Sequence, residues 1–359
     1  MSPSKGSVLV AMSGGVDSSV AACLLKEQGY DVVGSHMNLV HLEGVEHGCC
    51  GPAARADAAE VARIGGFPFE IVDMSLEFAG TVIDDFVSEH EAGRTPNPCA
   101  RCNGEIKFGE FLRRADELGI DSVATGHYVR SERSGGEWHL FRAADASKDQ
   151  SYMLHMLGQR QLARSLFPVG RLPKSETRSL ALRFGLPVAS KPDSQDLCFA
   201  PSGDAGAFVR SLAPHLAQGG EIVDLDGRVL GEHEGVSAFT VGQRRGLGVA
   251  LGAPTYVLEI DAPAHRVVVG PQELLSRRVL VADRTSWVAD SPPPGGAFEG
   301  EVRIRYRGEG APAVIEPFGG DRFRVEFRSP QRAVAPGQSA VVYRGEEVLG
   351  GGRIIEALP

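Results

Sequence analysis

Val8-Leu9-Val10-Ala11-Met12-Ser13-Gly14-Gly15-Val16-Asp17-Ser18 is the stretch on which the reading of this chain turns. An apolar run feeds a pair of glycines, and the residues from Ser18 to Gln28 continue with helical spacing. A strand, a glycine turn and a helix start expose backbone N–H groups beside the positive end of a helix dipole, which together favour an anion. Glycine also lets the backbone approach a phosphate closely. No Gly-Lys-Ser/Thr follows and no G-x-G-x-x-G is present, so neither common phosphate signature applies. Phosphate binding therefore rests on the physics of the turn. A tight strand-to-helix connection without a ligand is the competing reading.

Outward from that loop, strand-like runs at 7–12, 31–37, 69–73 and 121–126 alternate with helix-like runs at 18–28, 52–65, 75–91 and 105–118. The alternation predicts an α/β fold, a parallel sheet covered by helices on both faces. Ligands in such sheets sit at the carboxyl ends of the strands, where the strand order reverses. The glycine loop, Met37 and Gly126-His127 all fall at that end. A hairpin is expected between Tyr128 and Arg142, turning at Ser134-Gly135-Gly136. From about Gly219 helical periodicity gives way to short alternating strands between Gly, Pro and Asp turns, at 221–224, 228–230, 255–260, 266–269, 279–282, 301–306, 313–316, 323–328, 340–344 and 347–355. They predict a β-rich insert followed by a closed C-terminal barrel. The expected divisions are a nucleotide domain at 1–205, a small central domain at 206–275 and a barrel at 276–359.

At 359 residues the chain exceeds what one core usually supports. No apolar run reaches 18 residues, which argues against a membrane span. Six cysteines are too few for a secreted disulfide scaffold and point to a reducing, cytoplasmic setting. The net charge of −9 argues against nucleic acid, but its distribution softens that. Between Ser151 and Pro192 stand Arg160, Arg164, Arg171, Lys174, Arg178, Arg183 and Lys191 against Glu176 alone. This stretch reads either as a phosphate-engaging patch or as a solvated helical face. Residues 266–359 hold 13 arginines and no lysine, a bias suited to phosphate and base recognition.

Ser13-Gly14-Gly15-Val16-Asp17-Ser18 resembles the PP-loop of the ATP pyrophosphatases. Asn97-Pro98-Cys99-Ala100-Arg101-Cys102-Asn103, Ile106-Lys107-Phe108, Ala124-Thr125-Gly126-His127-Tyr128, Lys148-Asp149-Gln150-Ser151-Tyr152 and Asp193-Ser194-Gln195-Asp196-Leu197-Cys198-Phe199 resemble, in order, the motifs of the tRNA-specific 2-thiouridylases. Thr240 to Gly248, Arg305-Tyr306 and Pro336-Gly337-Gln338 extend the resemblance almost to the C-terminus. The resemblance implies ATP-dependent 2-thiolation of a wobble uridine, with Mg²⁺ beside the triphosphate. It implies ATP contacts at Ala11, Met12, Ser13, Gly14, Gly15, Val16, Asp17 and Ser18, with Met37 and Gly126 on the adenine side. It implies that Cys198 carries a persulfide and that Cys102 attacks it, leaving a Cys102–Cys198 disulfide. It places Asn97, Pro98 and Cys99 near the target base, Lys148, Asp149 and Gln150 against the anticodon stem, and His127, Arg305, Tyr306 and Gln338 at further tRNA contacts. The implied partners are tRNAs for Lys, Glu and Gln and a persulfide donor such as a cysteine desulfurase or relay protein.

Several of these residues also have plain structural readings. His127 reads equally as a strand-end histidine, and Arg305-Tyr306 as part of a barrel strand. Cys102 is expected in a Pro-punctuated loop before a helix near Glu105, where the dipole favours its thiolate. Relatives resemble Asn-Pro-Asp-x-x-Cys, whereas Cys99 stands at the Asp position here. Cys99, Cys102 and Cys198 form either a redox set or three ligands for a [4Fe–4S] cluster, the latter favouring a cytidine thiolase.

Overall fold

Strand β1 (Ser7–Ala11) lies at the centre of a parallel sheet because both of its faces are apolar. Leu9 and Ala11 face a cluster with Ile106, Phe108 and Phe111, while Val8 and Val10 face another with Val20, Val61 and Ala181. Each fully buried aliphatic side chain contributes about 1.5–3 kcal/mol relative to exposure. The computed structural model describes residues 4–40, 51–193, 197–200, 205–249 and 252–359. Cys49, Cys50 and Ser194-Gln195-Asp196 lie outside the described residues.

The sheet continues with β2 (Asp31–Asn38), β3 (Phe69–Asp73) and β4 (Ser122–Ala124). The hairpin β5 (Val129–Ser134) and β6 (Glu137–Arg142) follows, and then the short β7 (Ser165–Leu166). The parallel order is β3-β2-β1-β4-β7, with Val10 level with Gly34 on one side and Ala124 on the other. The chain builds outward from β1 through β2 to β3, then returns across β1 to β4. The switch in order therefore falls between β1 and β4, beside the glycine loop.

Helix α1 (Val16–Glu27) follows the loop and α2 (Pro52–Gly65) packs beside it. Three helical segments, Ser75–Phe78, Ala79–Ile83 and Asp84–Glu91, run on from one another, the middle one π-helical. A second composite helix comprises Pro98–Cys102, a π-helical Asn103–Glu110 and Phe111–Glu117. It starts earlier than the 105–118 expected, because Asn97 accepts the Ala100 N–H at 3.2 Å and Pro98 suits the first helical position. Cys102 consequently lies inside a helix and not in a preceding loop.

After the α/β part come β8 (Gly220–Val223), β9 (Val229–His233), β10 (Tyr256–Asp261) and β11 (Arg266–Gly270), a four-stranded sheet ordered β10-β11-β8-β9. The last six strands are β12 (Ser276–Trp287), β13 (Phe298–Arg303), β14 (Ala311–Phe318), β15 (Arg322–Arg332), β16 (Ser339–Arg344) and β17 (Glu347–Leu358). Pairing of β12 with both β15 and β17 closes them into an antiparallel barrel around Leu280, Ile315, Phe323 and Ile354. Arg305-Tyr306 lies beyond the end of β13, in the turn toward β14, and not in a barrel strand.

Among the seams that join the barrel to the α/β part are a strand addition and an ionic network. The β5–β6 hairpin, turned at Gly135-Gly136 with φ of 61° and 94°, adds to β17 through Leu140 opposite Val348. Buried Glu89 accepts both guanidinium arms of Arg94, at 2.7 and 2.9 Å, and also pairs with Arg353 of β17. Arg353 in turn reaches Asp283 of β12.

Candidate functional site

The glycine loop is held from below. Met12 donates its N–H to the Ser35 carbonyl at 2.8 Å, and the Met12 carbonyl lies 2.9 Å from His36 Nδ1. Within the loop, Ser18 Oγ accepts the Ser13 N–H at 3.2 Å, and Ser19 Oγ donates to the Gly15 carbonyl at 2.8 Å. Gly14 has φ of 70°, and a Cβ there would stand 2.1 Å from the Ala54 carbonyl oxygen. Only glycine serves at that position. Among the described residues, Gly15 at the cap position has no side chain to cap the start of α1, which leaves its first N–H groups to a ligand. Across the switch point, a Cβ on Gly126 would lie 2.4 Å from the Ser18 nitrogen. The end of β4 thus abuts the first turn of α1.

Asp17, in that first turn, is tied down by residues far along the chain. Lys174 Nζ donates to its two oxygens at 2.6 and 2.7 Å, and Tyr128 Oη donates at 2.9 Å. Burial and the Asp17 charge raise the Tyr128 phenol, against a hydrogen bond with Thr177 that lowers it, so it stays protonated. Lys174 also lies 2.8 Å from Asp193, which Lys148 reaches at 2.8 Å and Arg178 at 3.3 Å. Burial pushes the Asp193 carboxyl up, but hydrogen bonds from Lys148 and Lys174 and their charges outweigh it and bring it down to about 2. Lys191 donates to the Gly14 carbonyl at 2.9 Å and to Asp57 at 2.7 Å.

These contacts revise the reading of the basic run. Lys174 and Lys191 turn inward to the glycine loop, and Arg178 turns to Asp193. Arg164 pairs with Asp116, Arg171 with Glu132 and Arg183 with Glu27. Six of its seven cations are thus engaged within the chain, so it is neither an open phosphate patch nor a purely solvated face.

The thiols lie on the other side of β1. Cys102 is buried in the cluster that includes Leu9, Ala11 and Leu39, and Met37 and half-buried Cys198 pack against the same cluster. Phe199 anchors the Cys198 segment, with ring centroids 5.8 Å from Phe78, 5.3 Å from Phe86 and 5.1 Å from Phe208. Cys99 is exposed in the first turn of its helix. Among the described residues no three His, Cys, Asp or Glu side chains gather to hold a metal ion, although Cys99, Cys102 and Cys198 are all described. The three thiols therefore do not fit the expected alternative of an iron–sulfur cluster.

The expected tRNA residues fall into two kinds. Asn97 caps the Cys102 helix and also donates to Ser339 Oγ at 3.3 Å, while Pro98 is buried behind it. Gln338 holds the same segment from the barrel, donating to the carbonyls of Thr95 and Pro96 at 2.9 and 3.2 Å. Asp149 is buried and accepts from Arg303 at 2.9 Å, and Gln150 accepts the Tyr128 N–H at 2.8 Å. His127 Nδ1 lies 2.8 Å from Thr125 Oγ1, and burial, aided by the Lys107 charge, holds the ring neutral. Arg305 is exposed at the barrel surface while half-buried Tyr306 packs inward against the Tyr152 ring, and their turn is held by buried Arg303, which donates to the Tyr306 and Gly308 carbonyls.

Lys174, Arg178, Lys191 and Phe199 were not singled out from sequence. The first three are in the basic run and the fourth ends the Cys198 motif, but nothing local says which way any of them points.

Three family models match in succession. They are described as a tRNA methyl transferase HUP domain over residues 6–202, a tRNA methyl transferase PRC-barrel domain over 208–271 and an aminomethyltransferase β-barrel domain over 277–354. The chain is 49% identical over 362 residues to the tRNA-specific 2-thiouridylase MnmA of Geobacter metallireducens, covering 98% of this chain and 97% of that one. It is 47% identical over 363 residues to the protein of the same name from Symbiobacterium thermophilum, covering 98% and 92%.

Proposed function

The chain belongs to the tRNA-specific 2-thiouridylase family, and from that membership we propose that it replaces the 2-oxygen of a tRNA wobble uridine with sulfur, using ATP. The observation that carries the reading is the sharing of one core cluster: Ala11 and Met37 of the nucleotide side pack in the same cluster as Cys102 and Cys198. An activated carbon and the sulfur that attacks it must meet, and this placement favours their meeting. We divide the labour along the chain at about residues 205 and 275: nucleotide chemistry, a central β domain, and a barrel that contacts tRNA.

The triphosphate lies along Ala11 to Ser18 at the uncapped start of α1, with Met37 and Gly126 flanking the adenine. Mg²⁺ commonly takes one or two carboxylates together with substrate phosphates, and Asp17 in the first turn of α1 is the carboxylate at hand, so the residues fit an ion brought in with ATP. Bound there, such an ion would offset charge on the transferring nucleotidyl group. The uracil 2-oxygen attacks the α-phosphorus, pyrophosphate leaves, and the oxygen becomes part of an AMP leaving group.

Cys198 meanwhile takes the outer sulfur of a donor persulfide, releasing the donor as a thiol. The outer sulfur of the resulting Cys198 persulfide attacks C2, and AMP departs. The Cys102 thiolate then attacks Cys198 Sγ, the sulfur–sulfur bond to the base breaks, and 2-thiouridine leaves with a Cys102–Cys198 disulfide behind it. A cellular thiol reductant restores both thiols, which suits a cytoplasmic location. Among the described residues no helix is long and apolar enough to cross a membrane. The wobble base must leave its stack to be reached. Exposed Cys99 and the Arg305-Tyr306 turn are the surfaces we assign to it and to the flanking anticodon arm.

Purified protein given ATP, Mg²⁺, a persulfide donor and unmodified tRNA for Lys, Glu or Gln is expected to release pyrophosphate and form 2-thiouridine. Cys102→Ser and Cys198→Ser should each abolish the thiolated product. Full thiolation by Cys198→Ser would overturn the persulfide assignment.

A further inference from the structure

The Asp193 carboxylate has the surroundings of a bound oxyanion. Its two oxygens receive Lys174 at 2.8 Å, Lys148 at 2.8 Å and Arg178 at 3.3 Å. Lys174 is more than nine-tenths buried and bridges Asp193 to Asp17 in the first turn of α1, so the cluster begins where the glycine loop ends. Asp193 itself is 28% exposed and reaches into this pocket from a stretch without regular secondary structure. Three cations converging on one carboxylate, next to an uncapped helix start, are the donors a phosphate chain would recruit. A phosphate in the place of the Asp193 carboxylate would meet the same three donors.

We propose that Lys174, Lys148 and Arg178 bind the pyrophosphate end of ATP, and that Asp193 occupies these cations in the nucleotide-free chain, so nucleotide and Asp193 exclude each other. The proposal rests on the ATP reading above and deepens it. Asp193 stands five residues before Cys198 in the chain. Its displacement removes one attachment of that stretch and keeps the Phe199 anchor. Loading of the triphosphate and freedom of the sulfur-carrying thiol are thereby linked. Burial works against the ionised state of Asp193, and hydrogen bonds and charge from Lys148 and Lys174 hold it there, which agrees with a competitor of phosphate character.

Calorimetric titration with inorganic pyrophosphate, ATP and AMP tests the site. Lys174→Gln should weaken pyrophosphate and ATP by about tenfold or more, the scale of a lost charge-assisted contact, and leave AMP within about twofold. Asp193→Asn should tighten both by about tenfold, whereas Asp57→Asn, a carboxylate near the loop that pairs with Lys191, should change them by less than about threefold. In the unaltered protein, saturating pyrophosphate should speed alkylation of Cys198, followed by peptide mass spectrometry, by about threefold or more. That measurement needs no variant to fold. Equal effects of Asp193→Asn and Asp57→Asn, equal weakening of AMP and ATP by Lys174→Gln, or alkylation indifferent to pyrophosphate would each overturn the proposal while leaving ATP binding intact. Absence of ATP binding by the folded wild-type protein would instead overturn the underlying reading and this proposal with it.

Discussion

Gly126→Ala is the sharpest test of how closely the nucleotide cleft is built. The added Cβ would stand 2.4 Å from the Ser18 nitrogen, 2.6 Å from the Asp17 carbonyl carbon and 2.9 Å from the Ser18 Cα. Ordinary contact needs about 3.4 Å or more, so the first turn of α1 and the end of β4 must separate by about 1 Å. Neither side yields cheaply: β4 is clamped in a parallel sheet, and Asp17 is held by Lys174 and Tyr128. Overpacking of this kind costs about 1–3 kcal/mol of stability. The functional cost is larger, because an error of about 1 Å in positioning lowers a rate by about 100-fold. The assay is tRNA-dependent release of pyrophosphate from ATP, run beside thermal unfolding. Gly80→Ala is the control, since a Cβ there meets nothing within 4 Å and its φ is ordinary; it should be neutral or slightly stabilising. Wild-type pyrophosphate release by Gly126→Ala would refute the placement of the nucleotide against β4.

Other expectations follow from the same contacts. Phe199→Ala removes the ring packed against Phe78, Phe86 and Phe208, and should cut thiolation by more than about tenfold while pyrophosphate release falls less, because Cys198 loses its seat. Equal losses in both assays would show a general folding defect. At the hairpin–barrel seam, the hydrogen bond with Glu347 raises the His139 imidazole above its ordinary value. A raised folded-state pKa gives stability that is whole below the unfolded value near 6.5 and is lost as pH rises through the folded value. The unfolding temperature should therefore fall more steeply between pH 6 and pH 9 in the wild type than in Glu347→Gln. Parallel pH curves would contradict that pairing.

The α/β half was legible because β1 is apolar on both faces and its neighbours alternate with amphipathic helices, so periodicity alone placed β1 to β4. The ten strands of the β-rich part were legible from the Gly, Pro and Asp turns between them. Addition of the β5–β6 hairpin to β17 was not, because Leu140 opposite Val348 joins residues more than two hundred positions apart. The start of the Cys102 helix was missed because two prolines and two cysteines resemble a loop until Asn97 is seen to cap it. At the site, the glycine loop announced itself locally. Lys174, Asp193 and Lys148 converge from three separated segments, and a count of charges along the chain cannot distinguish an inward lysine from a solvated one. The cysteines showed a similar limit: Cys99 and Cys102 suggested a ligand pair by spacing, whereas the helix leaves one exposed and buries the other.

Sulfur passing between Cys198 and Cys102 is the step on which product formation depends. A single turnover with persulfide-loaded protein, ATP and tRNA, run without reductant and analysed by peptide mass spectrometry, tests it most directly. The expected result is one Cys102–Cys198 disulfide for each 2-thiouridine formed. Stoichiometric 2-thiouridine with both thiols still reduced, or with Cys99 in place of Cys102 in the disulfide, would contradict it.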